Sequence, residues 1–486
     1  MNRYPFTAVH SAHCRLRGLA LVVALLGGCT LGPDYQRPEL AVPEQFRQVE
    51  GWKSATPADM QEHGDWWTYY GDIELDALVQ RLQVSNQNLA AAEAQYRQAR
   101  ALVRGSRASL FPTLSGSAGV TRSGQGGDTA QGVSNSYDLG LTAAWELDLW
   151  GRLRRSLEAS RAESEASAAD LAAVRLSLQS ELVRNYLQLR VLDEQLRLLE
   201  ATVEAYARSL RLTENQYRAG IVPKSDVTQA TTQLKSAQGQ AIDLQWQRAQ
   251  LEHAIAVLVG VSPAQLSIAP RNSLPQLPEI PPALPSQLLE RRPDVAAAER
   301  RVMAANAQIG VAEAAWFPDL SLSASGGYRN ASFAHWIEAP SRFWSLGPQL
   351  ALSLFDGGAR RAELERSEAA YEQTVAQYRQ SVLDSFREVE DALVQLHVLE
   401  QESRVQEEAL EAARESLRLV ENQYRAGMVD YNSVVTVQAT ALNNERSNLT
   451  LLASRLTASV QLITALGGGW DTTRLQEKAN SDEAAH

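Results

Sequence analysis

Ser209-Leu-Arg-Leu-Thr-Glu-Asn-Gln-Tyr-Arg-Ala-Gly220 returns, with one residue changed, as Ser416-Leu-Arg-Leu-Val-Glu-Asn-Gln-Tyr-Arg-Ala-Gly427, 207 positions further on. Other landmarks follow at nearly the same offset. Phe111-Pro112-Thr113-Leu114-Ser115 recurs as Phe317-Pro318-Asp319-Leu320-Ser321, Leu149-Trp150-Gly151 as Phe355-Asp356-Gly357, and Gly260 as Gly467. Four landmarks in one order mark a duplicated unit of about 200 residues, too long for a solenoid repeat. The chain is one unit built twice.

Each copy of the motif ends a stretch free of Gly and Pro: Arg152–Ala219 and Ala359–Ala426, 68 residues each. Ala, Leu, Glu, Gln and Arg dominate both, and all are good helix formers. In the first, Leu189, Leu192, Leu196, Leu199, Val203, Tyr206 and Leu210 alternate spacings of three and four, the heptad stripe of coiled-coil packing. In the second, Leu396, Leu399, Leu410 and Leu417 keep that phase, and Ser403 and Gln406 interrupt it. Gly220 and Gly427 are placed to stop the helices. Helical pattern then resumes to Gly260 or Gly467. Each half thus holds a long antiparallel hairpin, 152–260 and 359–467, with further helical segments at about 72–110 and 286–316.

Strand-like runs lie between. Leu139, Leu141, Ala143, Trp145, Leu147 and Leu149 alternate with Asp138, Gly140, Thr142, Ala144, Glu146 and Asp148. Leu346, Leu350, Leu352 and Leu354 alternate with Ser345, Gln349, Ala351 and Ser353 across 343–355. The runs after Pro112 and Pro318 alternate more weakly, and 123–135 and 329–342 connect them. Period two with one apolar and one polar face predicts hairpins over 111–149 and 317–356, four strands in all. Such strands, polar inward and apolar outward, suit a transmembrane barrel. An open four-stranded sheet cannot sit in lipid, because its edges leave backbone groups unpaired. Several chains must share the barrel: two would give eight strands filled by side chains, three would give twelve and a wider lumen.

The N-terminus reads as an address. Arg15 and Arg17 precede Leu19–Leu26, an apolar run that ends in Gly27-Gly28-Cys29. This is a secretory signal, too short for a membrane helix. Leu26-Gly27-Gly28-Cys29 has the form of a bacterial lipobox, with cleavage between Gly28 and Cys29 and lipid on Cys29. Residues 1–28 are then signal peptide and 29–71 a lipid-anchored segment. Val261–Pro285 holds seven prolines and joins the halves, 72–260 and 286–467, as an extended linker. Residues 468–486 form a polar tail.

Composition narrows the function. The 486 residues carry 46 Lys+Arg against 57 Asp+Glu, a net charge of −11. No basic surplus is available for nucleic acid. The two cysteines, Cys14 and Cys29, exclude a disulfide scaffold and a four-cysteine zinc site. His63, His253, His335 and His397 stand singly without metal-ligand spacing, and no phosphate loop or nucleophile elbow is present. The expectation is no enzyme, no metal and no cofactor besides the lipid on Cys29.

The sequence resembles the outer-membrane efflux protein family, in particular its TolC/OprM-like lipoproteins, over nearly the whole mature chain. The resemblance rests on Cys29-Thr-Leu-Gly-Pro-Asp-Tyr-Gln-Arg-Pro38, Trp66-Trp67 with Leu75-Asp76-Ala77-Leu78, Trp145-Glu-Leu-Asp-Leu-Trp-Gly151, Leu289-Glu-Arg-Arg-Pro-Asp-Val295 and Phe355-Asp-Gly-Gly358. It implies an α+β membrane protein: a homotrimer with a shared twelve-stranded outer-membrane β-barrel, continued by helical hairpins as a periplasmic α-barrel. It also implies a periplasmic adaptor, an inner-membrane pump of the resistance-nodulation-division type, and passive export of small molecules. A type I protein-secretion channel is the alternative.

By the same resemblance Gly220 and Gly427 mark periplasmic tips that close the resting channel. Asp226 and Tyr424 match residues of the network that holds the entrance shut. Val429 replaces an Arg of some relatives, and Thr436 replaces an Asp that lines the narrowest ring in many. Lys224 and Asp430 lie at similar depth, so the latch is Lys224–Asp430, Asp226 with Tyr424, or neither, Lys224 and Asp430 then being solvated tip charges. Glu146 and Asp148, on the polar strand face, are the candidates for a cation-favouring ring in the lumen.

Overall fold

The computed structural model describes residues 30–39, 65–124, 133–271, 273–278 and 292–470. The expected signal peptide, Gly28, Cys29, Cys14, His63 and the tail beyond Trp470 lie outside the described residues, as does part of the Pro-rich linker. The elements are α1 (Ile73–Ser85), α2 (Gln87–Ala108), β1 (Thr113–Ser123), β2 (Ser134–Leu147), α3 (Arg152–Arg218), α4 (Lys224–Leu258), α5 (Pro293–Ala314), β3 (Asp319–Asn330), β4 (Arg342–Ala351), α6 (Ala359–Arg425) and α7 (Tyr431–Ala465). They fall into two units. One gathers the N-terminal residues through Glu39 with Gln95–Ala168 and Ala297–Arg379; the other holds Leu40–Ala94, Ala169–Ala296 and Gln380–His486.

In the first unit, β1-β2-β3-β4 form one antiparallel sheet in chain order, so β1 and β4 are both open edges. The fourth strand is shorter than the alternation predicts. It stops at Ala351, and Leu352, Leu354 and Phe355 are exposed beyond it. The reason is pairing: Ala351 faces Asp319, the first residue of β3, and Pro318 before it has no N–H to extend the ladder. At the other end the strands outrun the expected connection, since β3 continues to Asn330 and β4 starts at Arg342.

The N-terminal residues 30–39 are pinned to this unit. Leu31 N–H donates to the Trp150 carbonyl at 3.1 Å. The Arg155 side chain, 5% exposed, donates to the carbonyls of Leu31 (3.0 Å) and Gly32 (3.1 Å) and pairs with Asp34 and Glu158. Gly32 crosses α5 at Gly310, where an added Cβ would meet the Gly310 Cα at 2.4 Å. Only glycine permits that approach.

In the second unit the heptad stripe of α3 does face its hairpin partner: Tyr206 packs with Leu234 and Ala237 of α4, flanked by Val203 and Leu210. The interruption in α6 is a polar match. Gln406 donates to the Asn444 side chain at 3.0 Å, and Ser403 accepts from Arg455 at 3.1 Å, both partners on α7. The helical segment read as 72–110 breaks at Asn86, which caps α2 by accepting from Leu89 N–H at 2.9 Å and donates to the Leu258 carbonyl at 2.8 Å.

A buried ionic clasp holds the chain after α4. Arg190, 1% exposed, reaches Asp193 (3.0 Å), Glu74 (2.6 Å) and the Ala269 carbonyl (2.8 Å). Arg248 reaches Asp193 (2.6 Å) and the Ile268 carbonyl (2.6 Å), while Glu252 accepts from Ile268 N–H at 2.6 Å. Residues 268–271 are thereby strapped to α1, α3 and α4.

Candidate functional site

The sheet register sorts the strand residues onto two faces. Paired residues in an antiparallel sheet point the same way, and neighbours along a strand point oppositely. Leu114 pairs with Ala143, Ala143 with Ala324, and Ala324 with Leu346. The rows Gly116–Leu141–Gly326–Trp344 and Leu147–Leu320–Leu350 share that face. The opposite face carries Ser115–Thr142–Ser325–Ser345 and Thr113–Ala144–Ser323–Gly347. One face is thus apolar and the other lined with hydroxyls, across all four strands.

The apolar face is uncovered. Trp344 is 82% exposed, Leu114 73%, and Leu346 and Leu350 65% each. So large an apolar surface needs a nonaqueous neighbour. Aromatic residues bound it. Tyr137 packs against Phe333 (5.5 Å) and Trp336 (6.1 Å) at the loop end, and Trp150 packs against Phe317 (4.7 Å) at the helix end. Tyr137 and Trp145, eight residues apart on β2, are separated by about 27 Å along the strand. At a tilt of about 40° that is about 21 Å of height, close to the apolar band of an outer-membrane barrel. Among the described residues no helix is long and apolar enough to cross a membrane.

The polar face is almost uncharged along its middle. Charge stands at its two ends: Glu146 and Asp319 toward the helices, Asp138 and Arg329 toward the loops. The acids expected to form a cation-favouring ring are compensated. Glu146 pairs with Arg152 at 2.5 Å. Asp148 is 10% exposed, pairs with Arg154 and accepts from the amides of Leu153 (3.1 Å) and Arg154 (3.0 Å). It caps α3, where the helix dipole favours a carboxylate.

The hairpin tips are built by glycine, as the motif predicts. Gly220 (φ +75°) and Gly427 (φ +72°) sit in the left-handed region. Ile221 N–H returns to the Gln216 carbonyl and Met428 N–H to the Gln423 carbonyl, at 2.8 and 2.9 Å. That is the helix stop that glycine makes possible. Within the chain neither expected latch forms. Lys224, at the start of α4, makes no ion pair among the described residues. Asp430 caps α7 instead, accepting from Ser433 N–H (2.9 Å) and its hydroxyl (2.5 Å). These bonds hold its carboxyl below the usual range. Asp226 accepts from the Ser225 hydroxyl, and Thr436 donates to the Asn432 carbonyl.

Tyr424 takes a different partner, donating to Gln216 at 2.8 Å from α6 to α3. Its ring lies 5.6 Å from Tyr431, whose hydroxyl meets Ser209 at 3.2 Å. Leu210, Ala230, Val420, Val434 and Val435 surround them. Gln216, Ser209 and Tyr431 were not legible as a group. Gln216 lies inside the repeated motif, but only the packing of α6 and α7 against α3 brings the three together. Among the described residues no cluster of His, Cys, Asp and Glu could hold a metal.

Two stretches of the chain, residues 78–261 and 284–468, match the family model described as outer membrane efflux protein. The toluene efflux pump outer membrane protein TtgC of Pseudomonas putida is 32% identical over 463 residues, covering 94% of this chain and 96% of that one. The cation efflux system protein CusC of Escherichia coli is 31% identical over 459 residues, covering 94% and 99%. Among solved structures, the outer-membrane channel OprN superposes with a TM-score of 0.85 at 32% identity, over 91% of this chain and all of that one. The apolar and polar sheet faces, the glycine-tipped hairpins and these matches agree: the chain belongs to the outer membrane efflux protein family.

Proposed function

We propose that three copies of this chain close into one channel that passes small molecules outward across the outer membrane, delivered by an inner-membrane pump through a periplasmic adaptor. The observation that carries this is the sheet itself, apolar on one face, hydroxyl-lined on the other and open at both edges. In lipid an open edge leaves N–H and C=O groups unpaired at several kcal/mol each. Because β1 and β4 run oppositely, β4 of one copy can pair antiparallel with β1 of the next, and the ring closes without a break. Twelve strands leave a lumen where eight would be filled by side chains.

Apolar residues on the hairpins support self-association. Ile242 and Trp246 of α4, and Val398 and Val405 of α6, are more than half exposed in the single chain. The lipid anchor fits too. Thr30, the residue after Cys29, lies against Gly151, where β2 gives way to α3 beside the Trp150–Phe317 girdle. Two or more acyl chains anchor stably. The adaptor meets the tips at Gly220 and Gly427.

Sedimentation of the detergent-solubilised lipoprotein should give a three-chain mass, and bilayer recordings should give discrete channels. A monomer, or a two-chain particle without conductance, would overturn the reading.

A further inference from the structure

The charged cluster at the loop end of the polar face has no part in barrel closure or in the tips. Phe343 is the one aromatic residue on that face among the described strand residues. Its row is Gly140–Gly327–Phe343. Gly140 leaves room for the ring, since a Cβ there would meet the Phe343 Cζ at 3.6 Å, while at Gly327 a Cβ would strike the Leu139 carbonyl oxygen of β2 at 2.0 Å. Arg329 lies over the ring, with its Cζ 5.0 Å from the centroid. Asp138 pairs with Arg329 and accepts from the Ser136 hydroxyl at 2.8 Å. The Arg329 side chain is 64% exposed and Asp138 30%. Arg329 is also the one cation on the polar face of the described strands.

We infer that Asp138, Arg329 and Phe343 form a charge-compensated exit collar, in which Arg329 recognises carboxylate- or phosphate-bearing solutes leaving the barrel. The inference rests on the channel reading. A guanidinium held by one carboxylate and one ring keeps donors free for a second anion. Stacking on Phe343 fixes its height and keeps the ring against the wall. Between the acids near the helices and this collar the wall offers hydroxyls only, so a solute's charge is read at the ends. Three copies put three guanidiniums and three carboxylates around the mouth, and removing either partner uncovers the other.

The test is the reversal potential of the full lipoprotein channel in planar bilayers under a salt gradient. Wild type is compared with Asp138→Asn, Arg329→Gln and the double variant. Three charges around one mouth should change the cation-to-anion permeability ratio by about two- to five-fold. Asp138→Asn should shift it toward anions, Arg329→Gln toward cations, and the double variant back to wild type. Pyrophosphate added on the loop side should block wild type and Asp138→Asn but not Arg329→Gln. If no channel conducts, wild type included, the channel reading fails. If all conduct and neither single variant shifts the ratio, or block persists in Arg329→Gln, the collar alone is refuted. Migration of each variant as an SDS-resistant trimer separates these outcomes from misfolding. Phe343→Leu should still conduct but lose part of the pyrophosphate block; undiminished block would remove the ring from the collar.

Discussion

Arg190→Met tests whether the ionic clasp holds the residues after α4. The substitution keeps the stem and removes three bonds: to Asp193, to Glu74 and to the Ala269 carbonyl. Asp193 is 1% exposed, so it cannot turn to water for a replacement. Breaking a buried pair by deleting one partner costs about 3–5 kcal/mol. Arg248 stays on Asp193 at 2.6 Å, which places the cost near the lower end. The readout is local, because the strap can open without the rest of the unit unfolding. Hydrogen–deuterium exchange of a peptide spanning residues 266–271 reports it through the amide of Ile268, which donates to Glu252. About 3 kcal/mol corresponds to exchange faster by about 150-fold. Arg190→Lys keeps the charge but not the planar fork, so it should fall between the two. A change below about threefold in Arg190→Met would refute the clasp, leaving residues 268–271 held by Arg248, Glu252 and the pairs of Arg271 with Asp72 and Glu74.

Three further outcomes follow from the geometry. Burial pushes the Asp72 carboxyl up, but hydrogen bonds from Tyr186 and the amides of Leu75 and Glu74, with Arg271 nearby, outweigh it and hold the group below the ordinary range. Its contribution is therefore complete above the unfolded value of about 4 and is lost as pH falls through the folded one. Asp72→Asn keeps the cap, where Asn serves as well as Asp, but loses the charge that Tyr186 and Arg271 meet; it should cost about 1 kcal/mol at pH 7 and flatten the acid limb of a thermal-melting profile. Gly220→Ala should cost about 1–2 kcal/mol through its φ of +75° alone, since nothing lies within 4 Å of an added Cβ. Gly260→Ala should cost more, because its Cβ would lie 2.2 Å from the Ser85 carbonyl oxygen; thermal unfolding ranks the two. Leu141→Arg, on the apolar face, should cost about 2–4 kcal/mol near the membrane midplane. Ser325→Arg on the polar face should still assemble and alter conductance, and the yield of SDS-resistant trimer distinguishes the faces.

The sequence carried the periodic parts of this molecule and little of what converges from a distance. Helices of 67 residues were plain because Gly and Pro are absent from them and present where they stop. The two-faced strands were plain because period two has no other source. What escaped depends on contacts far apart in the chain. Arg329 and Asp138 are 191 residues apart, and the alternation of β3 weakens into Gly326-Gly327, so pattern alone assigns Arg329 to the connection. Tyr424 and Gln216 are 208 apart. The acids Glu146 and Asp148 were visible, but their compensation was not. It requires the first turn of α3 to fold back so that Arg152 and Arg154 face the strand they follow.

The duplication explains the architecture, and its imperfections bear on the mechanism. At the first tip Tyr217 is 44% exposed and α4 starts at Lys224; at the second Tyr424 is packed and α7 starts at Tyr431. Pro223 precedes one return helix and Asp430 caps the other. Equivalent positions have thus become a polar tip and an aromatic tip, and a ring of three chains would alternate them. If the tips close the channel, what opposes opening is weighted toward the aromatic one. An exposed Lys224–Asp430 pair is worth about 0–1 kcal/mol and weakens with salt. The Tyr424–Gln216 and Ser209–Tyr431 bonds are neutral, half-buried and worth about 0.5–1.5 kcal/mol each. Both tie the second hairpin to α3 of the first. A partner that displaces α3 alone breaks both bonds, whereas one that moves the two hairpins together breaks neither. A gate at these tips would thus be set by relative movement of the halves, and its strength should depend little on ionic strength.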